Sequence, residues 1–496
     1  MANRKPPKMS ERQSLCNLAV VLAFLMLSFA LTYSSLYVQP WDNLEAWRQS
    51  DTYSIMMNYI KNGIDIFRPQ VNYDGAGPNI IQLELQILPA LGVITCNLYN
   101  KVTPAVPRLI SLMFFYGSAI FVYLIGKKLM HTLSAFTAMF VYMFLPITMS
   151  FSRAIMPETC ALFFLCGGIF FLADWFLCEQ TDEKCPFWLS AVFFAFAIME
   201  KLPIMFIGVL ILAVMAMKYQ YSMFRKLHVY AYAAVTLLPS AIYYAIVARF
   251  SEFKMVNNLA VKHAFTWEIF SLLAPSSAEF FKESLPGSFG NLVILIAIAG
   301  FICTFKKEKS RLFLLFLAAS FILECTTIVA MIKLQYYLIF IAPTIALLCG
   351  TAVDELFRLG RTQSFGLVFV VCIVTFALGN ATLKRTAKTN EYISKLGSFI
   401  AENTETSAVI AVDRTCTDIF AAADRNGYRA NIKYYEYIPQ EPIQEVQYFI
   451  EHGVDYFVLT GETTKADERY RKHLSDNFMV HTASSECVIY DLRKKR

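Results

Sequence analysis

The sequence predicts an α-helical polytopic membrane protein of about eleven transmembrane helices, with a long first outer loop and a small C-terminal α/β soluble domain. Three observations carry this reading. Of 496 residues, 56% are hydrophobic and only 17% charged, with a mean hydropathy of +0.47, a balance that belongs to membrane chains. The apolar residues fall in long runs. The charge is uneven: Lys384 to Arg496 holds 16 Lys/Arg and 17 Asp/Glu, against 28 and 21 in the 383 residues before it. An apolar body with a basic excess therefore precedes a soluble tail of near-neutral charge.

The runs lie at about 15–37, 105–126, 131–150, 157–178, 186–199, 202–218, 228–248, 289–305, 311–332, 336–353 and 364–382. The longer ones can cross a hydrocarbon core of ~30 Å at ~1.5 Å per residue. The first is too long for a signal-peptide core and lacks a small-residue cleavage site, so it reads as a retained span. Runs 186–199 and 202–218 are short and broken by Glu200-Lys201-Leu202-Pro203. Ile80–Tyr99 is interrupted by Gln82, Glu84, Gln86 and Pro89 and reads as an interfacial helix. Left uncrossed, it places Lys127-Lys128, Lys218–Lys226, Lys306–Arg311 and Arg358–Arg361 together on the cytoplasmic side with the N-terminus. The tail is then extracytoplasmic, and a cell inner (cytoplasmic) membrane is expected.

The expected division is a membrane domain over 1–383, with outer loops 38–104 and 249–288, and an α/β domain over 384–496. In the tail, Glu391–Glu402, Ile443–His452 and Asp467–Leu474 read as helices, and Ala408–Val412, Tyr456–Thr460 and Val488–Tyr490 as strands. Most of the 12 cysteines sit in apolar runs as small hydrophobes, while Cys416 and Cys487 could pair in an oxidising compartment. The net charge of +6 is explained by basic clusters at span ends and does not point to nucleic acid.

The stretch Trp41–Gly77 stands out, with Asp42, Glu45, Arg48, Asp51, Asp65, Arg68 and Asp74 within 33 residues. Ordered loops of that length are usually functional. Tyr53–Asn62 has helical apolar spacing and Gly63 is a natural stop. Ser50 or Asp51 could simply cap that helix, although no Glu or Gln follows to complete a capping box. A cap leaves Arg48 and Gln49 beside the carboxylate unexplained, so Asp51 is a candidate catalytic residue. Asp42, Asp65 and Asp74 carry no assigned role.

A second group is Phe151-Ser152-Arg153-Ala154-Ile155-Met156-Pro157-Glu158 at an outer helix boundary. Pro157 and Glu158 suit a helix start, yet Arg153 and Glu158 at a membrane edge also suggest use, since a charge at mid-bilayer costs ~2.5–3.5 kcal/mol. Lys201, and Lys333 before Gln335-Tyr336-Tyr337, lie on the outer side against the positive-inside trend. Snorkelling accounts for either alone. Both together with Arg153 and Arg249 favour an anionic ligand, with phosphate the natural choice. Glu84 is a candidate third acid, and His263 and Trp267 could line a substrate path.

Five pieces together resemble the polyprenyl-phosphate-sugar-dependent glycosyltransferases of the C-type fold, which include the protein O-mannosyltransferases and the bacterial aminoarabinose transferase acting on lipid A. They are WRQSDT (Trp47–Thr52), GPNIIQLELQILP (Gly77–Pro89), PRLISLMFFYG (Pro107–Gly117), FSRAIMPE (Phe151–Glu158) with EKLP (Glu200–Pro203), and KLQYYLIFIAPTIALL (Lys333–Leu348). The resemblance covers Met1 to about Gly350. It implies the C-type glycosyltransferase fold and transfer of a sugar from a polyprenyl-phosphate donor, of the undecaprenyl-phosphate type, to a hydroxyl of a lipid, glycan or protein, with inversion. It implies Asp51 as general base or metal ligand, with Glu158 and Glu84 completing the acidic site. Lys201 and Lys333, with Arg48 or Arg153 and the adjacent Tyr336 and Tyr337, would hold the donor phosphate. A divalent metal ion on Asp51, Glu158 and Glu84 could share that task. EKLP lacks the glycine that relatives often place between Lys and Pro, and the interfacial helix lacks the double proline of some relatives. The tail matches nothing in the family.

A transporter or flippase of lipid-linked sugars is the chief alternative. It predicts charges near mid-span and broken helices in paired positions, whereas here the charges gather at outer ends and Glu324 is the clear mid-span acid. A receptor anchored by the bundle would not need the outer charges.

Overall fold

The structure is a computed structural model that describes residues 11–178, 184–252, 254, 256, 274–431, 438–462 and 468–496. His263 and Trp267 lie outside the described residues. Helix α1 (Glu11–Thr32) continues through a 3-10 turn to Tyr37. The outer loop then holds α2 (Ala46–Asn62), the short strands β1 (Gln70–Val71) and β2 (Asn79–Ile80), and α3 (Ile87–Tyr99). Next come α4 (Ala105–Leu129), α5 (Thr132–Phe144), α6 (Pro146–Phe151) and α7 (Glu158–Leu177). They are followed by α8 (Lys184–Glu200), α9 (Gly208–Tyr219) and α10 (Leu227–Phe250). Helices α11 (Pro275–Phe289), α12 (Asn291–Ile302), α13 (Lys309–Glu324), α14 (Ala342–Leu359) and α15 (Arg361–Thr386) complete the bundle.

Among the described residues, eight helices are long and apolar enough to cross a membrane, or nine if α11 and α12, bent by 95°, form one span. The expected eleven exceed the nine by two runs that are helical but short. Pro146 starts a new helix and divides 131–150 into pieces of 13 and 6 residues, and α8 has 17 residues. The apolar window of Gln335–Leu359 is 89% buried and that of Glu11–Tyr37 17%, so the former is the bundle's axis and the latter its rim. Close helix approach depends on Gly300 in α12, where a Cβ would run into the Leu348 carbonyl of α14.

The loop departs from expectation in one informative way. Helix α2 begins at Ala46, so Ser50 and Asp51 lie inside it and neither caps it. The interfacial helix is likewise shorter than Ile80–Tyr99, because Asn79–Ile80 pairs as a strand with Gln70–Val71.

The tail comprises α16 (Glu391–Asn403), β3 (Val409–Val412), α17 (Asp418–Ala423), β4 (Asn426–Arg429) and α18 (Pro442–Glu451). It ends with β5 (Tyr456–Leu459), α19 (Glu468–Asn477), β6 (Phe478–Ala483) and β7 (Val488–Lys495). The strands form one sheet in the order β4-β3-β5-β7-β6, parallel across β4, β3 and β5 and antiparallel beyond. Cys416 and Cys487 are both free thiols.

The tail packs on the first outer loop. Trp41 Nε1 donates to Ser394 Oγ at 2.7 Å, and its side chain joins the tail core of Ile393, Ile410 and Ile489. At the sheet edge Gly427 N–H donates to the Asn72 carbonyl, and Gly75 N–H to the Gly427 carbonyl, both at 3.1 Å. Gly427 is confined by the Ile410 carbonyl, which leaves no room for a Cβ.

Gly300→Val is expected to lower the thermal unfolding temperature in detergent, at a cost of roughly 1–3 kcal/mol for overpacking. Gly208→Ala, which meets open space, is the control that should leave it unchanged.

Candidate active site

Helix α2 and the ends of α7, α8 and α14 nearest to it bring the predicted residues into two adjoining groups. In the first, Asp51 is 1% exposed; its Oδ1 accepts from Thr417 Oγ1 at 3.2 Å, and Oδ2 lies 3.8 Å from Arg48 Nη1. The remaining amino group of Arg48 grips Glu84. Burial pushes the Asp51 carboxyl up to about 7, against Arg48, Thr417, Arg429 and Tyr73, which all favour the charged form. A carboxyl held there changes charge at neutral pH, as a general base should.

In the second group Lys201 Nζ pairs with Glu158 Oε1 at 2.7 Å. The ammonium also lies over the rings of Tyr336 and Tyr337, at 4.9 and 4.7 Å from their centroids. The two rings stack at 4.8 Å, forming one wall. Glu200 and Glu324, 0% and 1% exposed, both feel the Lys201 charge. The two groups face each other, because Glu158 and Tyr336 act electrostatically on Arg48. Glu45, whose carboxylate accepts from Trp47 Nε1 at 2.9 Å, is raised by burial and feels Glu158 and Lys201 as well. Lys333 is half-buried in a left-handed backbone turn, with no carboxylate partner among the described residues.

Arg153 is fully buried, and one of its amino groups donates to Asp42 Oδ2 at 2.7 Å. Its Nε and Nη2 have no hydrogen-bond partner among the described residues. Asp42, which had no assigned role, also binds Arg108 at 3.2 Å and Gln49 Nε2 at 2.8 Å. Gln49 Oε1 accepts from Arg108 Nη1 at 3.0 Å and from Ile155 N–H at 3.2 Å. WRQSDT is thereby tied to PRL and SRAIMPE, three separate sequence pieces. A basic residue at the start of an apolar helix, Arg108, was the available signal for this network. Thr417 and Tyr73 had none, since Thr417 is 366 residues from Asp51.

The proposed metal ligands do not fit a divalent ion as they are arranged. Glu84 is spent on Arg48 and Glu158 on Lys201, while Asp51 is shared by Arg48 and Thr417. Among the described residues no three His, Cys, Asp or Glu side chains converge. Each carboxylate already has a protein cation as a partner, so no step is derived through a metal.

A model of the dolichyl-phosphate-mannose-protein mannosyltransferase (PMT) family matches residues 92–256. Among solved structures, ArnT from Cupriavidus metallidurans bound to undecaprenyl phosphate is similar at a TM-score of 0.67 and 10% identity, over 95% of this chain and 98% of that one. The Archaeoglobus fulgidus oligosaccharyltransferase AglB, with an inhibitory peptide and a dolichol-phosphate, is similar at 0.65 and 10%, over 95% and 73%. The A. fulgidus enzyme solved with Zn and sulfate gives 0.64 and 14%, over 91% and 69%. No curated protein matches the sequence. The structural likenesses show the fold, that of the C-type glycosyltransferases, and with the family match they indicate a glycosyltransferase.

Thr417→Val removes a hydrogen bond that favours the Asp51 carboxylate. The rising limb of the transfer rate, expected near pH 7 as Asp51 loses its proton, should move to higher pH in this variant. Thr417→Ser should restore it. A pH–rate profile of each variant is the measurement.

Proposed function

We propose that this chain moves a sugar from a polyprenyl-phosphate donor, of the undecaprenyl-phosphate type, to an acceptor hydroxyl at the outer face of the membrane. The observation that carries the reading is Asp51, buried and pushed up to about 7, beside Arg48, whose guanidinium in turn feels Glu158, the partner of Lys201.

The donor already carries a good leaving group, so the site needs no strong acid. It must hold the departing phosphate as the anomeric carbon–oxygen bond breaks, and take the acceptor's proton as the new bond forms. Asp51 is assigned the proton. Lys333, with no carboxylate partner among the described residues, and Lys201, beside the Tyr336–Tyr337 wall, are assigned the phosphate. Arg48 is assigned to both, since it touches Asp51 and feels Glu158. Arg153 adds the N–H groups of its two unpaired nitrogens, Nε and Nη2. Glu84 and Glu158 hold Arg48 and Lys201 in place until the phosphate arrives. In a water-poor site such fixed charges act strongly on developing charge. Attack opposite the leaving phosphate gives inversion.

The N-terminus is assigned to the cytoplasm of an inner membrane and the tail to the outside, on the basic clusters at 127–128, 218–226 and 306–311. Lipid, glycan and protein hydroxyls all remain in the acceptor class.

Asp51→Asn should abolish sugar transfer to the acceptor while leaving membrane insertion and thermal unfolding near wild type; full transfer activity in that variant sinks the assignment. Cysteines placed at Ser485 in the tail and at Lys307 should be labelled by an impermeant reagent from outside only in the first case. Tail labelling from the cytoplasmic side only would break the common face.

A further inference from the structure

Helix α2 carries a second site at its far end. Asp51, Asn58 and Asn62 are spaced by seven and four residues, so Asn58 and Asn62 lie ~20° to either side of Asp51 on one stripe of the helix. At ~1.5 Å per residue, Asn58 and Asn62 stand about 10 and 16 Å along the stripe from Asp51. There the stripe opens into a cavity of about 290 Å³ between the outer loop and the tail, near the lower bound for small-ligand pockets of ~300 Å³.

Side-chain amides dominate this cavity: Asn58, Asn62, Gln70, Asn72, Asn79 and Asn426 all line it. Some are spent on building the walls. Asn58 Nδ2 donates to the Gln70 carbonyl at 2.9 Å and to Asn72 Oδ1 at 2.8 Å, and Asn62 Nδ2 donates to Gln70 Oε1 at 3.0 Å. The complementary atoms, Asn58 Oδ1, Asn62 Oδ1 and Asn72 Nδ2, have no hydrogen-bond partner among the described residues and are left to bind. The lining therefore offers both acceptors and donors from uncharged groups. The charged pair on the rim, Lys61 and Asp424, is self-compensated at 2.6 Å, so the cavity has no net charge. A phosphate would want an excess of cations and a metal ion an excess of anionic oxygens. A peptide would want apolar pockets for its side chains, and Val71 and Ala408 beneath the amides are already buried. Vicinal hydroxyls, each both donor and acceptor, match an uncharged ring of amides.

We infer that the amide-lined cavity between α2 and the tail is a binding subsite for a neutral oligosaccharide, holding a sugar ring several units away from the hydroxyl that reacts at Asp51. This rests on the proposed transfer reaction for its position relative to Asp51, and narrows the acceptor to one that carries a glycan. It also gives the tail a role, since Thr406, Ser407 and Asn426 supply one wall.

The test is binding of the purified full-length chain in detergent to an array of neutral oligosaccharides, with anionic glycans and hydroxyl-bearing peptides on the same array. Two changes probe the cavity: Ser407→Trp, which plugs it from an exposed rim position, and the double change Asn62→Ala with Asn426→Ala, which removes amides without adding bulk. Wild type and Asp51→Asn should bind neutral oligosaccharides longer than one ring. Both cavity variants should bind at least tenfold more weakly, with unchanged thermal unfolding. Binding that is indifferent to both variants, confined to peptides or anionic glycans, or absent from wild type overturns the inference. If instead the array result holds while Asp51→Asn still transfers sugar, the subsite stands and the transfer assignment falls.

Discussion

Everything at the candidate site depends on one buried carboxylate shared by two arginines. Asp42 accepts from Arg108 and Arg153 with all three side chains fully buried, and Gln49 ties the group to α2. Arg108 reaches further, to the carbonyls of Val38 at 2.9 Å, Gln39 at 2.8 Å and Arg153 at 3.1 Å. Removing one partner of such a buried set typically costs ~3–5 kcal/mol, because the remaining charge is stranded away from water. The network therefore fixes how α2 sits on the bundle. With α2 fixed, Arg48 and Asp51 can only face the ends of α7 and α8, where Glu158 and Lys201 lie.

The same logic explains why the site is built from mutually neutralising pairs. A lone buried carboxylate would protonate and a lone buried ammonium would lose its proton. Pairing Glu84 with Arg48 and Glu158 with Lys201 gives each of these acids a cation as its partner. Asp51 is the less fully compensated acid, with a guanidinium 3.8 Å away and a hydroxyl in place of a second cation. Its position between charged and neutral forms follows from that partial compensation.

The bundle was legible in the sequence because apolar runs are read directly as helices, and the order of WRQSDT, FSRAIMPE, EKLP and KLQYY pointed to one outer face. The span count was less legible: Pro146 breaks one run, and the length of α8 falls short by itself. The helix cap considered for Asp51 disappears because α2 starts a full turn earlier, at Ala46, where Trp47 and Arg48 give little periodic signal. Asp42 was hidden because a carboxylate in a charged loop looks solvated until its partners are known. In the tail, β4 and α17 escaped notice because Asn426–Arg429 is polar and Asp418–Ala423 is too short for periodicity to show. What pins the tail to the site, Thr417 and the Gly427 backbone, is a matter of tertiary contact alone.

The docking of the tail has a consequence for the timing of biosynthesis. The edge of β4 is covered by the first outer loop through Asn72, Gly75 and Gly427, so neither the loop nor the sheet has its final surface alone. Asp51 emerges near the start of synthesis and Thr417 near its end, 366 residues later. During most of translation the carboxylate waits in a loop without its roof. Closing so long a loop in sequence makes this assembly slow relative to helix insertion. The complete site thus exists only in finished chains, and a truncated product lacking the tail would present the bundle without the environment that holds Asp51 near neutrality.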